Sequence, residues 1–125
     1  MLPQFEFRVI NQTLSRVDSF EPVSGSKNYL LAFFDFTTKD WEQIDTKTAV
    51  FMNEQNDKIE VVISDGICFV PSEILKTSGF IYVSVYGGDR ITTNWVSIFV
   101  DEGYTEEENS QNDSQDDSQN DSQNG

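Results

Sequence analysis

The sequence predicts an all-β domain, a two-sheet antiparallel sandwich of seven or eight strands, followed by a disordered C-terminal tail. Three observations predict it. Aromatic and β-branched residues lie in short runs separated by Asn, Asp, Gly, Ser and Pro, the pattern of strands joined by tight turns. No segment of useful length repeats its apolar residues at the helical period. Turn signals recur roughly every 8 to 12 residues, as in sandwiches and small barrels, and the open sandwich suits this count of strands better than a closed barrel. A length of 125 residues fits one core and leaves little for a second.

The elements follow in order. Phe5-Glu6-Phe7-Arg8-Val9 alternates apolar and polar residues, which gives a strand with one buried face, and Asn11-Gln12 supplies a turn after it. Asn28 to Phe36 is a longer apolar run, expected as a central strand covered on both faces for part of its length. Lys47 to Met52, Lys58 to Ser64 and Ile67 to Val70 are three further strands, the last two joined by an Asp65-Gly66 hairpin turn. Pro71 to Lys76 interrupts the β pattern with one helical turn, its proline near the start. Phe80 to Tyr86 sets Phe80, Tyr82, Ser84 and Tyr86 on one face against Ile81, Val83 and Val85 on the other, and Gly87-Gly88-Asp89 turns the chain into a last strand, Ile91 to Val100.

Charge divides the chain into a domain, 1–104, and a tail, 105–125. The formal net charge is -14. Residues 1–100 hold all 8 basic residues against 13 acidic ones, whereas 101–125 hold 9 acidic residues and no basic one. From Glu106 onward there is no aliphatic or aromatic side chain, only repeats such as Ser110-Gln-Asn-Asp113 and Ser118-Gln-Asn-Asp121. Such a segment cannot bury enough surface to offset its ordering entropy, so it is expected to be a disordered, solvating spacer.

Composition excludes several functions. The chain has no His, so there is no Ser-His-Asp or Cys-His nucleophile, no His-ligated zinc and no imidazole switch. Its acidity argues against nucleic acid and anionic membrane surfaces as partners, since both need Lys and Arg to neutralise phosphates. The longest apolar runs are about six residues, far short of the ~20 that span a bilayer. The N-terminal residues show no secretory leader pattern. The single cysteine, Cys68, lies between Ile67 and Phe69 and reads as a small buried hydrophobe. No cofactor or metal motif is present, and the many carboxylates follow from the overall charge, so no catalytic pair and no enzymatic role is expected.

Five residues are candidates for an interface. Trp41 reads as a core anchor at a strand boundary or an exposed contact. In the last strand, Asn94, Val96, Ile98 and Val100 form the core face, which leaves Trp95 and Phe99 on the other face with Thr93. Arg90 and Thr93 follow the Gly-Gly turn, and their bland reading is a carboxylate pair for Arg90 and strand geometry for the threonine.

Several ordered stretches carry a resemblance. Phe7 to Leu14, Ser26 to Leu30, Asp40-Trp41-Glu42 with Lys47 to Phe51, Asp65 to Pro71 leading into Glu73-Ile74-Leu75, Val83 to Gly88, Arg90 to Asn94, and Gly103-Tyr104 together resemble the N-terminal immunoglobulin-like domain of bacteriophage upper-baseplate and related tail or fibre proteins. The similarity spans residues 5 to 104. It implies an immunoglobulin-like sandwich that docks onto other phage structural proteins as a homo-oligomer or hetero-complex, located in the virion and made in the bacterial cytoplasm. After Tyr104 the chain departs from that pattern, because the repeat tail stands where such proteins continue toward a fibre or receptor-binding region. A docking or decoration role is therefore expected over an adhesin. Two other classes stay open: an acidic DNA mimic or host-factor inhibitor, which would present ordered carboxylates, and a carbohydrate-binding module, which would present an exposed aromatic platform.

Overall fold

A computed structural model describes residues 3–25 and 30–103. The expected disorder of 105–125, and the start of the strand expected from Asn28, lie outside the described residues. Within them the chain is an all-β sandwich of two sheets. The strands are β1 (Gln4–Ile10), β2 (Thr13–Arg16), β3 (Leu31–Phe36), β4 (Lys47–Asn53), β5 (Lys58–Ile63), β6 (Ile67–Phe69), β7 (Gly79–Gly87), β8 (Ile91–Thr92) and β9 (Val96–Val100). The first sheet has the order β2-β1-β3-β6, and the second runs β5-β4-β7, with β8 and β9 both pairing with β7.

Nine strands stand where seven or eight were expected, for two reasons. Asn11-Gln12 is followed at once by the short return strand β2, and the run Ile91 to Val100 is broken. Pairing shows how it breaks. Tyr86 lies opposite Thr92, but Val83 lies opposite Val96, so three steps along β7 match four along its partner. One extra residue at Asn94-Trp95 makes a β-bulge.

The antiparallel expectation also needs one correction. β1 and β3 are parallel, because the chain after β2 crosses to the other sheet, where Val23 bridges Asp101, and re-enters beside Pro3, whose carbonyl accepts from the Leu31 N–H. The Asp65-Gly66 turn forms as expected, with both residues at positive φ and reciprocal Ser64–Ile67 hydrogen bonds of 3.0 Å. It joins two sheets rather than two neighbours in one, since β5 stays in the second and β6 enters the first. Pro71 to Lys76 contains the expected turn as a 3-10 helix, Ser72–Leu75.

Alternation builds the core. Phe5, Phe7, Val9, Ala32 and Phe34 from the first sheet meet Ala49, Phe51, Ile81, Val83, Val85 and Ile98 from the second, as period-two strands require. Phe7 stacks on Phe34 with centroids 5.0 Å apart. Cys68 points into this core, and burial pushes its thiol up to about 12, so it is held neutral and inert.

Candidate interaction surface

The outer face of the second sheet follows from register, because residues directly opposite each other share a face. Thr48, Val50 and Met52 of β4 oppose Tyr86, Ser84 and Tyr82 of β7, and Phe80 and Tyr82 in turn oppose Phe99 and Ser97 of β9. On β5 the same face carries Val62, Glu60 and Lys58. Large apolar side chains stand open to solvent here: Phe80 is 41% exposed, Trp95 48%, Phe99 51% and Val62 56%. Val50, Thr48 and Ser84 are buried although they lie on the outer face, in the stretch where the register sets the half-buried Tyr82 and Tyr86 on the same face.

The rings are not coplanar. Phe80 and Phe99 meet edge to face, with centroids 5.2 Å apart and planes at 73°, the geometry favoured by the ring quadrupole. At the β5 side the Tyr86 hydroxyl donates to Glu60 Oε1 at 2.6 Å, and that bond raises the Tyr86 pKa, against a smaller lowering contribution from Thr48. Charge on the face lies at its margins: Lys58 and Glu60 on β5, Glu54, whose carboxylate accepts from the Phe80 N–H at 3.2 Å, and the exposed Asp101, two residues past Phe99 in the same alternation. The outer face of the first sheet differs: its exposed apolar residues are interrupted by Glu6, Arg8 and Asp35, and a groove there is lined by those residues with Phe33 and Asp65. Among the described residues no cluster of three or more His, Cys, Asp or Glu could hold a metal.

Of the five candidates, Trp95 and Phe99 are both exposed, Phe99 in edge contact with Phe80 and Trp95 in the bulge four residues before it. Trp41 needs correction as a contact residue: it is fully buried, with its indole Nε1 donating to the Asn11 carbonyl at 2.7 Å. Thr93 is also corrected. The bulge removes it from the Trp95 face and turns it into the strand pairing, where its hydroxyl accepts from the Val85 N–H at 3.0 Å and its own N–H donates to the Val85 carbonyl at 2.9 Å. Arg90 lies exposed in the β7–β8 turn and takes part in neither ion pair found among the described residues. The residues missed as candidates are Phe80, Tyr82, Tyr86 and Val62. Their signal was present, since Phe80, Tyr82 and Tyr86 alternate on one face of a strand whose other face is already wholly aliphatic.

The bulge is fastened to the first sheet by Asn94. Its side chain accepts from the Leu14 N–H at 2.8 Å and donates to the Leu14 carbonyl at 3.2 Å, standing in for a strand partner. Replacing Thr93 with Val should cost about 1–2 kcal/mol in urea denaturation, since it strips the Val85 N–H of its acceptor inside the sheet; a neutral substitution would show that the hydroxyl is not needed to hold the bulge.

No protein-family model, curated protein or solved structure matches this chain.

Proposed function

We propose that this chain is a structural docking module of a bacteriophage particle, a sandwich that seats on a neighbouring baseplate, tail or head-fibre subunit through the outer face of β4, β7 and β9 and acts by protein–protein contact. The observation that carries the docking part is the exposed aromatic pair Phe80–Phe99, in edge contact on the outer face, with the exposed Trp95 next to β9 and charged groups only at the margins, in a chain of -14. Isolated apolar residues on a surface need no explanation, but a contiguous rimmed patch marks an interaction site, and aromatic residues are the side chains that carry most interface energy. The occupant is a protein surface of mainly apolar chemistry, since the charged groups of the face stand at its margins. The phage assignment comes from the resemblance over residues 5 to 104.

The exposed Trp95 gives a carbohydrate-binding reading one observation. Against it, the edge-to-face Phe80–Phe99 pair offers no flat platform for a sugar ring, and Trp41 is buried. A mimic of DNA would need an array of ordered carboxylates, whereas Glu54 and Glu60 stand singly at opposite margins of this face.

The test is mass spectrometry of purified particles from cells expressing the wild type or the double variant Phe80→Asp, Phe99→Asp. The wild-type chain should be found in particles and the variant lost from them, with its circular dichroism unchanged. Absence of the wild-type chain from particles, or retention of the variant, defeats the reading; glycan binding abolished by Trp95→Ala would replace it with the carbohydrate one.

A further inference from the structure

We propose that the outer face of the first sheet is a second docking site, which takes an extended segment of a partner protein with the pattern apolar-x-apolar-x-Lys/Arg, in either chain direction. This goes beyond the docking reading, which concerns the opposite sheet, and makes the domain a link between two proteins.

Register builds the site. Ala32, Phe34 and Cys68 belong to the core, so by alternation Leu31, Phe33 and Asp35 of β3 and Ile67 and Phe69 of β6 stand on the outer face. Leu31 lies opposite Phe69, and Phe33 opposite Ile67. These pairs make a block of four adjoining apolar side chains, with Ile67 37% and Phe69 53% exposed and the other two half-buried. The Phe34 N–H donates to the Gly66 carbonyl at 2.7 Å, which carries the pairing one step further and sets Asp65 beside Asp35. Gly66 permits that approach, since a Cβ on it would stand 2.9 Å from the Phe34 carbonyl oxygen at a φ of 78°. Along β3 the face therefore presents two apolar rows and then a row of two carboxylates. A groove of about 480 Å³ opens beside these rows, lined by Phe33, Ile67, Asp35 and Asp65 and, on the β1 side, by Glu6 and Arg8.

Charge and spacing select the occupant. Like charges placed side by side across a sheet repel, and neither Asp35 nor Asp65 takes part in an ion pair found among the described residues. Arg8, opposite Asp35 on β1, is the one cation against the carboxylates of Glu6, Asp35 and Asp65, so the groove keeps an excess of negative charge. A Lys or Arg side chain laid over the aspartate row relieves the repulsion, while apolar side chains cover the block beside it. Same-face side chains of an extended segment recur every ~6.6 Å, which is also the spacing of alternate residues along β3. The segment is held by side chains and not by a new strand ladder, because the N–H and C=O of Ile67 on the β6 edge are both engaged with Ser64.

Residue-resolved NMR titration of the full chain with two blocked peptides, Leu-Ser-Leu-Ser-Lys and its reverse, tests this. At least one should shift the amides of Phe33, Asp35, Ile67 and Phe69, with a Kd on the order of 100 µM, since the site falls short of the ~800 Å² per partner of a standard interface. Salt should weaken the binding. The double variant Asp35→Asn, Asp65→Asn should weaken it roughly 5-fold, and Asn tolerates the positive φ of position 65. Phe69→Ser, at an exposed position, should weaken it about 10-fold and leave the circular dichroism unchanged. No shifts up to about 1 mM peptide, shifts confined to the acidic tail, or equal binding by peptides with Glu in place of Lys overturns the proposal. Shifts of the same amides on raising the protein concentration alone would give the face to a second copy and overturn it too. The Phe80→Asp, Phe99→Asp chain should bind the peptides as the wild type does; loss of binding there would place the site on the other sheet. A wild type that binds neither peptide yet enters particles through Phe80 and Phe99 sinks this site and leaves the docking reading standing; peptide binding on the first sheet by a chain absent from particles does the reverse.

Discussion

Replacing Trp41 with Ala is expected to destabilise the domain by about 3–5 kcal/mol, the range for truncating a large buried aromatic side chain. That is a large fraction of the ~5–15 kcal/mol that holds a domain of this size together, so the variant should unfold at a much lower urea concentration than the wild type. Two losses combine. The indole is fully buried, with its ring tilted on Phe36 at 5.0 Å between centroids, and Ala leaves a cavity that the surrounding strands cannot close. The indole N–H also satisfies the carbonyl of Asn11, a residue held at φ 53° in the β1–β2 turn. The Asn11 N–H donates in turn to Thr38 Oγ1 at 2.8 Å, so the 3-10 turn Lys39–Trp41 and the β1–β2 turn fix each other. Trp41→Phe should recover most of the packing and still cost about 1–2 kcal/mol for the orphaned carbonyl. Urea denaturation followed by circular dichroism measures both; a loss below about 1 kcal/mol for Ala would mean that the site collapses freely and Trp41 is not an anchor.

Asp18→Asn is expected to cost about 2–3 kcal/mol at neutral pH, the worth of hydrogen bonds to a charged group. Burial raises the carboxyl pKa, but hydrogen bonds from Arg16 and from the backbone N–H groups of Glu6 and Phe20, together with the Arg16 charge, outweigh it and hold the group below its ordinary 3.8. The bonds are short: 2.7 Å from Glu6 N, 2.8 Å from Phe20 N and 2.8 Å from Arg16 Nη2. Arg16 also donates to the Phe20 carbonyl and lies 5.1 Å over the Phe5 ring. This cluster holds the segment that carries the chain from β2 in the first sheet to the Val23 bridge in the second. A depressed carboxyl pKa contributes its stability above 3.8 and loses it as pH falls through the lower folded value. Wild type and Asp18→Asn should therefore differ most at pH 7, and the gap should narrow as pH falls below 3.8. A gap that does not narrow on acidification would show that the carboxylate charge is not what the cluster uses.

Much of this was legible in the order of residue types. The alternation Phe5-Glu6-Phe7-Arg8-Val9 gave both the strand and its buried face, because a strand has only two sides. Phe99 and Trp95 were legible as surface residues for the same reason, once Ile98 and Val100 were assigned to the core. Thr93 was not. A bulge arises where two strands fail to keep step, and the mismatch exists only in the pairing of β7 with β8 and β9, which no single strand's sequence contains. The Arg16–Asp18 cluster was hidden likewise, since the Glu6 N–H that completes it comes from twelve residues away. Trp41 lay between these cases: its size argued for the core, but the Asn11 carbonyl that anchors it lies across a turn.

By itself the sequence determined the all-β class, the inward and outward faces of its longer strands, the inert Cys68 and the separation of a mildly acidic domain from a strongly acidic repeat, because these depend on local periodicity and composition. The tertiary structure alone decided that β1 and β3 run parallel, that Asp65-Gly66 carries the chain between sheets, and that Phe80 and Phe99 pair on the outer face of the second sheet. Those features depend on which strand lies beside which and in what register, and register is set by the packing of both sheets on a shared core.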